Sequence, residues 1–388
     1  MSAVVQLTQQ LLSYKTITPK EEGIFDHIGT FLGDFEVLRA DHNDVSNVFF
    51  YKRFGNPNQT PLHFCFAGHV DVVPVEEGWK HDPFKGVLEE NFLYGRGAQD
   101  MKGGIAAFAC AVRDVCALLT VSNPPPLILS ILLTSDEEGE ARFGTRHMLE
   151  VLQQQELLPT FALVAEPTSV KVLGDSVKIG RRGSIGGKII VQGIPGHVAY
   201  PRTCLNPIHL IADKLNLVAN ANLDKADSLF EASRLVITSI KSESGASNVT
   251  PKTLEILFNV RHSPRVTLED ISNFLDVVLE KVPYSVTLQQ NSLPFLSSQD
   301  CVLVEHIQEA IAKVLQRTPS LNTRGGTSDA RFFAACGVEV VEFGLVNDRI
   351  HSVDECVHIH DLNNLYQVFV ELLHLMIKEA HVKQASSF

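Results

Sequence analysis

With 388 residues the chain is long enough for two domains with sizeable cores, and 45% hydrophobic against 20% charged residues fits a soluble globular protein. A net charge of -12 argues against a nucleic-acid footprint and suits a protein that gathers carboxylates around cations. Seven cysteines with no CxxC pair read as reduced thiols of a cytoplasmic protein, and neither a signal peptide nor an uncharged apolar window of about 18 residues is visible, so no membrane span is expected.

Val4 to Leu12 has helical periodicity, and Thr18-Pro19 with Glu21-Glu22 marks a second helix start, whose stripe is Ile24, Ile28, Phe31 and Leu32. Asn47 to Tyr51 and Leu62 to Ala67 read as strands, the second a short apolar run suited to burial on both faces. Phe84 to Leu93 holds a strand pair broken at Glu89-Glu90-Asn91, and Met101 to Leu119 is a long, Ala-rich helix. Leu127 to Leu133 is a central strand, a helix follows over 144–155, and Phe161 to Ala165 is the next strand. Strands alternating with helices imply an α/β domain with helices on both faces of its sheet.

Near Gly180-Arg181-Arg182-Gly183 the rhythm changes to strand (185–193), helix (206–219), strand (234–241), strand (253–261), helix (267–281), strand (285–290). That β-α-β-β-α-β order is ferredoxin-like and reads as an insertion over 180–293, splitting a catalytic domain into 1–179 and 294–388. A helix at 300–316, a strand at 338–343 and a final helix at 361–380 complete the first domain.

The candidate chemistry sits where strands give way to turns. His69 and Asp71 end the strand 62–67, Asp100 precedes a helix, Glu137-Glu138 and Glu166 follow two further strands, and His351 lies beyond 338–343. A crevice above the carboxyl ends of a sheet can collect all of them. Two His and three carboxylates exceed what one tetrahedral ion needs, and a pair of metals about 3.5–4 Å apart would use them all. Adjacent Glu137 and Glu138 face different ways, so one can bind metal while the other serves as general base in amide hydrolysis.

At these residues the chain resembles the dizinc aminoacylase/carboxypeptidase family of metallopeptidases. The matching motifs are GHVDVVP (68–74), GRGAQDMKGG (95–104), TSDEEG (134–139) and AEPT (165–168). Residues 180–201, NPI (206–208), GGTSDARFF (325–333) and the spaced Asn347, His351, Asp354 and Glu355 extend the likeness, which runs from about Thr16 to about Leu375. The resemblance implies a zinc-peptidase-like catalytic domain and an inserted dimerisation domain, hence a homodimer. It implies two Zn2+ per subunit, with Co2+ as a substitute: Asp100 bridges, His69 and Glu166 complete one site, Glu138 and His351 the other. Asp71 orients His69, Glu137 is the acid/base, the Asp100-Met101 peptide is cis, and His197 reaches the partner's active site to stabilise the oxyanion.

The implied reaction removes succinate from N-succinyl-LL-2,6-diaminopimelate, a substrate with three carboxylates, in lysine and diaminopimelate biosynthesis. Arg182, Ser184, Tyr200, Asn248, Arg261, Gly326, Thr327 and Asn347 are its implied contacts. Two positions depart from the family pattern: Ser247 stands where Asn is usual, and Glu140 follows Glu-Glu-Gly where a small residue is usual. Acetylornithine deacetylase or general aminoacylase chemistry is the alternative on the same fold. A metal-holding amino-acid binding protein is the non-enzymatic one, and the presence of Glu137 speaks against it.

Overall fold

A computed structural model describes residues 1–120 and 123–385. The chain divides into two compact units, one of Met1–Gly180, Leu296–Asn322 and Ser328–Phe388, the other of Arg181–Phe295 and Thr323–Thr327. Unit 1 opens with α1 (Ala3–Leu12), α2 (Ile24–Leu32), β1 (Glu36–Arg39), β2 (Asn47–Phe54) and β3 (Leu62–His69). It continues with β4 (Val87–Glu89), β5 (Phe92–Tyr94), α3 (Lys102–Thr120), β6 (Leu127–Thr134), α4 (Thr145–Gln154), β7 (Phe161–Val164) and β8 (Ser176–Lys178). The chain crosses through β9 (Gly180–Arg181) to β10 (Gly183–Gln192), α5 (Pro207–Ile211), α6 (Leu215–Val218), β11 (Arg234–Lys241), β12 (Thr253–His262), α7 (Leu268–Val278) and β13 (Tyr284–Ser292). It returns through β14 (Phe295–Leu296) to α8 (Val302–Leu315), β15 (Ser320–Asn322), α9 (Ala330–Ala335), β16 (Glu339–Glu342), β17 (Cys356–His358) and α10 (Ile359–Ala385).

The frame of unit 1 is a mixed eight-stranded sheet in the order β1-β2-β6-β3-β7-β16-β8-β15. β6, β3, β7 and β16 run parallel in its middle. Every residue of β3 and β6 is buried, so both faces are covered, which is why these strands read as unbroken apolar runs. One helix group is α1, α3, α8 and α10; α4 and α9 pack on each other and on β2, β6, β7 and β16. Phe66 of β3 stacks on Phe108 of α3 at 5.3 Å and meets Phe369 of α10 edge-on at 5.0 Å. Such pairs add about 0.5–1.5 kcal/mol beyond their area burial.

Among the described residues α3 is long and apolar enough to span a membrane, against the expectation that no segment comes near that test. It is mostly buried inside unit 1, against α1, α10 and β3, as a core helix would be. Small residues let it approach the sheet: a Cβ on Gly104 would stand 2.7 Å from the Ala165 carbonyl oxygen.

Unit 2 is a four-stranded antiparallel sheet ordered β11-β12-β10-β13. Burial alternates along β12, and its inner residues Ile256, Phe258 and Val260 pack with Ile189, Leu235, Ile271 and Leu275 into a separate core. The expected helix over 206–219 is two short ones, because at Lys214 the N–H bonds back only three residues, to the Ile211 carbonyl. The short strands β1, β8, β15 and β17 and the six-residue α9 are absent from the sequence reading. Residues 323–327 cluster with unit 2 rather than with unit 1. Thr323 donates to the Leu229 carbonyl at 2.7 Å, and Arg181 Nη1 donates to the Arg324 carbonyl at 3.1 Å.

Candidate metal centre

Three parallel neighbours, β6, β3 and β7, bring their carboxyl ends side by side. His69 is the last residue of β3 rather than the turn beyond it, Glu137 and Glu138 lie in the turn after β6, and Glu166 follows β7. Asp100 comes from the loop after β5, just ahead of α3, and His351 from the loop before β17. β5 and β17 are antiparallel with Tyr94 opposite Cys356, so these two loops leave the same end of one ladder. All six residues lie in unit 1.

The donor atoms form three groups: His69, Asp100 and Glu166, and Asp100, Glu138 and His351, which share Asp100, and a third of His69, Glu137 and Glu138. His69 Nε2 is 3.2 Å from Asp100 Oδ1 and 3.7 Å from Glu166 Oε1. His351 Nε2 is 3.3 Å from Asp100 Oδ2 and 2.8 Å from Glu138 Oε1. Each oxygen of Asp100 therefore faces a different imidazole. Donors around a tetrahedral ion at about 2.0–2.1 Å stand about 3.3 Å apart, so both groups fit a cation with little movement. The Asp100-Met101 peptide is cis.

Asp71, expected to orient His69, touches both His69 and the turn after β6. Its backbone oxygen lies 2.9 Å from His69 Nδ1, against 3.6 Å for its carboxylate. The carboxylate instead accepts the N–H groups of Glu137 and Glu138 at 3.3 and 3.1 Å, fixing the turn that carries both acids. Asp136 closes that turn from behind by accepting from the Arg142 and Phe143 N–H groups.

The electrostatics belong to a site built for positive charge. Burial, then the charge of Glu166, pushes the Glu137 carboxyl well above its ordinary range. Burial works against charge on His69, yet hydrogen bonds to Asp100 and Asp71 raise it well above the usual imidazole value. Hydrogen bonds to Asp100 and Glu138 push His351 up to about 10. Asp100 is held below the carboxylate range by its bonds to both His residues, although burial opposes this. Asp329, at the start of α9, is buried and pushed up to about 6 by that burial, and its charge adds to the field on Glu137. Sequence reading assigned no role to Asp329, because one acid inside GGTSDARFF carries no signal of burial.

The expected substrate contacts lie mostly in unit 2. Ser184 and Arg261 are cross-strand partners on β10 and β12, and Ser184 Oγ accepts from Asn259 at 3.0 Å. Arg182 pairs with Glu231 at 2.9 Å. His197 is exposed, with Asn248 Nδ2 3.4 Å from its Nε2 and the Tyr200 ring 5.8 Å away. Gly326 and Thr327 belong to the segment that joins unit 2, while Asn347 is in unit 1, its N–H donating to the Ser169 carbonyl at 3.0 Å.

The chain is 51% identical over 380 residues to a succinyl-diaminopimelate desuccinylase of Helicobacter pylori, covering 95% of this chain and 98% of that one. It is 49% identical over 371 residues to the enzyme of that name from Wolinella succinogenes, covering 96% and 99%. Among solved structures it resembles the YXEP protein of Bacillus subtilis, a dinuclear metal-binding peptidase of the M20 family. The TM-score is 0.70 at 14% identity, over 97% of each chain. The pattern described as Peptidase family M20/M25/M40 matches residues 65–375, so the chain belongs to that family of metal-dependent hydrolases.

Proposed function

We propose that the chain releases succinate from N-succinyl-LL-2,6-diaminopimelate, giving LL-2,6-diaminopimelate for diaminopimelate and lysine biosynthesis. The observation that carries hydrolysis at a dinuclear centre is Asp100, with one oxygen 3.2 Å from His69 and the other 3.3 Å from His351. The choice of substrate is supported by relatives about half identical over nearly the whole chain. Two Zn2+ ions suit this nitrogen and oxygen donor set, with Co2+ as a substitute. His69 and Glu166 would hold one with Asp100, and Glu138 and His351 the other. When bound, such a centre lowers the pKa of a coordinated water to about 7 and polarises the amide carbonyl.

Glu137 lines the site beside His69, its Oε2 4.0 Å from Nε2, and is the acid left outside the two donor groups that share Asp100. It takes the proton of the attacking water and returns it to the leaving amine. Asp71 keeps that base in place through the Glu137 N–H. Unit 2 is assigned as the dimerisation unit of a homodimer, in which His197 of the partner subunit donates to the developing oxyanion. Arg182 and Arg261 would take substrate carboxylates in bidentate fashion, with Ser184, Tyr200, Asn248, Gly326, Thr327 and Asn347 completing the contacts. All seven cysteines are free, which supports a reducing compartment, the cytoplasm.

The test is a comparison of kcat/KM on N-succinyl-LL-2,6-diaminopimelate and N-acetylornithine with the Zn-loaded protein. The succinyl substrate is expected to be preferred by at least about 100-fold, since a site built for charged groups rejects a substrate that leaves them unpaired. Equal rates, or a preference for acetylornithine, would replace this reading with the deacetylase one.

A further inference from the structure

We infer that Glu355 is the positioning residue that aims Asp100 and, through it, sets the affinity of the metal site at Glu138 and His351; this rests on the dinuclear reading above. Glu355 is fully buried, four residues beyond His351 and just ahead of β17. Its Oε1 accepts the N–H of Gln99 at 2.9 Å and that of Asp100 at 3.2 Å. Its Oε2 accepts the Gly97 N–H at 3.0 Å and Arg96 Nη1 at 3.0 Å. Its backbone carbonyl takes the Gly95 N–H at 2.9 Å. One side chain thus holds three backbone donors of the loop that presents Asp100.

The same contact ties this loop to the one that carries His351. Arg96 Nη1 also donates to the Ser352 carbonyl at 3.1 Å, and Gln99 donates to Asp348 at 2.7 Å while accepting the Arg349 N–H at 2.9 Å. The His351 loop needs such ties. His351 and Asp354 both have positive φ, 59° and 58°, which non-glycine residues adopt infrequently. His69 and Glu166 lie at the ends of strands fixed by the large sheet and do not depend on this loop pair. Charge neutralisation of Arg96 does not explain the arrangement. Arg96 also pairs with Glu76 at 3.1 Å and lies over the Trp79 ring at 5.1 Å, and a counter-ion would have no reason to accept three backbone N–H groups. Losing the carboxylate should therefore loosen Asp100 relative to His351 more than relative to His69.

The experiment is calorimetric titration of the metal-free protein with Zn2+, and a matching titration with Co2+ followed by its visible spectrum, on wild type, Glu355→Gln and Glu355→Asp. Wild type is expected to take two equivalents. In Glu355→Gln the first should bind within about threefold of wild type and the second about 10–100-fold more weakly, as when partners behind a ligand are removed. Glu355→Asp should recover part of the loss, and excess Zn2+ should restore kcat with KM unchanged. Two equivalents bound with wild-type affinity, or both weakened alike, would overturn the assignment. Fewer than two equivalents in wild type would overturn the dinuclear reading and this inference with it. Should Glu355→Gln not fold, Glu355→Asp, whose shorter side chain cannot reach all three N–H groups at once, is titrated in its place, and a second equivalent bound there with wild-type affinity would equally overturn the proposal.

Discussion

Glu137 and Glu138 are neighbours with the same side chain, and the turn between β6 and α4 gives them different surroundings. Asp71 accepts both of their N–H groups, Glu138 lies 2.8 Å from His351, and Glu137 is left half-buried, 4.0 Å from His69. If Glu137 is the base, Glu137→Gln should lower kcat by about 10²–10⁴-fold. Metal content by atomic absorption should stay at the wild-type level, because no ligand is removed. Glu138→Gln should instead reduce the bound metal, and the contrast between the two variants separates base from ligand. Asp71→Asn keeps the size but turns one acceptor into a donor facing an N–H. A fall in kcat of about 10-fold or more with little change in KM is expected from steady-state rates.

β3 is the element on which unit 1 depends, and its two faces can be tested apart. Phe66 meets Phe108 and Phe369 and is fully buried, so Phe66→Ala should cost about 3–5 kcal/mol in urea unfolding of the metal-free protein. His63 lies on the opposite face, 2.8 Å from Ser130 Oγ. Burial, then the charge of Arg53, lowers its pKa from 6.5 to about 3. Between those two values the unfolded chain binds a proton that the folded one refuses, so the stability present above pH 6.5 is lost as pH falls. From pH 6.5 to pH 5 this amounts to about 1.6 kcal/mol for one group. His63→Gln should flatten the acid limb of the pH–stability curve by that amount. An unchanged acid limb would show that the imidazole is already neutral in the unfolded chain or charged in the folded one.

At the scale of the whole molecule the question is what unit 2 contributes. His197, Tyr200 and Asn248 form an exposed polar group on it, and Val236 and Ile240 on its edge strand β11 are 43% and 48% exposed. If His197 acts across a dimer, Glu137→Gln and His197→Ala subunits complement each other. A mixed dimer then carries one site with both groups intact, so reassorting the two inactive proteins at equal amounts should restore about a quarter of wild-type activity. A mixture as inactive as its parts would place His197 in its own subunit's site, and an active His197→Ala parent would place it outside catalysis.

The sequence alone determined the parts that depend on local pattern. Continuous apolar runs marked β3, β6 and β7, because a strand covered on both faces needs apolar side chains at every position. The residues at or just past the ends of those runs include the candidate ligands His69, Glu138 and Glu166, because parallel strands align their carboxyl ends. Three- and four-residue strands such as β8, β15 and β17 escaped notice, since so short a stretch carries no period. Only the tertiary structure decided which oxygen of Asp100 faces which imidazole, that Asp71 serves the Glu137 turn, that residues 323–327 belong with unit 2, and that Glu355 supports the Asp100 loop across more than 250 residues of chain. Those are distances through space between groups remote in sequence, and a buried acid is spelled with the same letter as one on the surface.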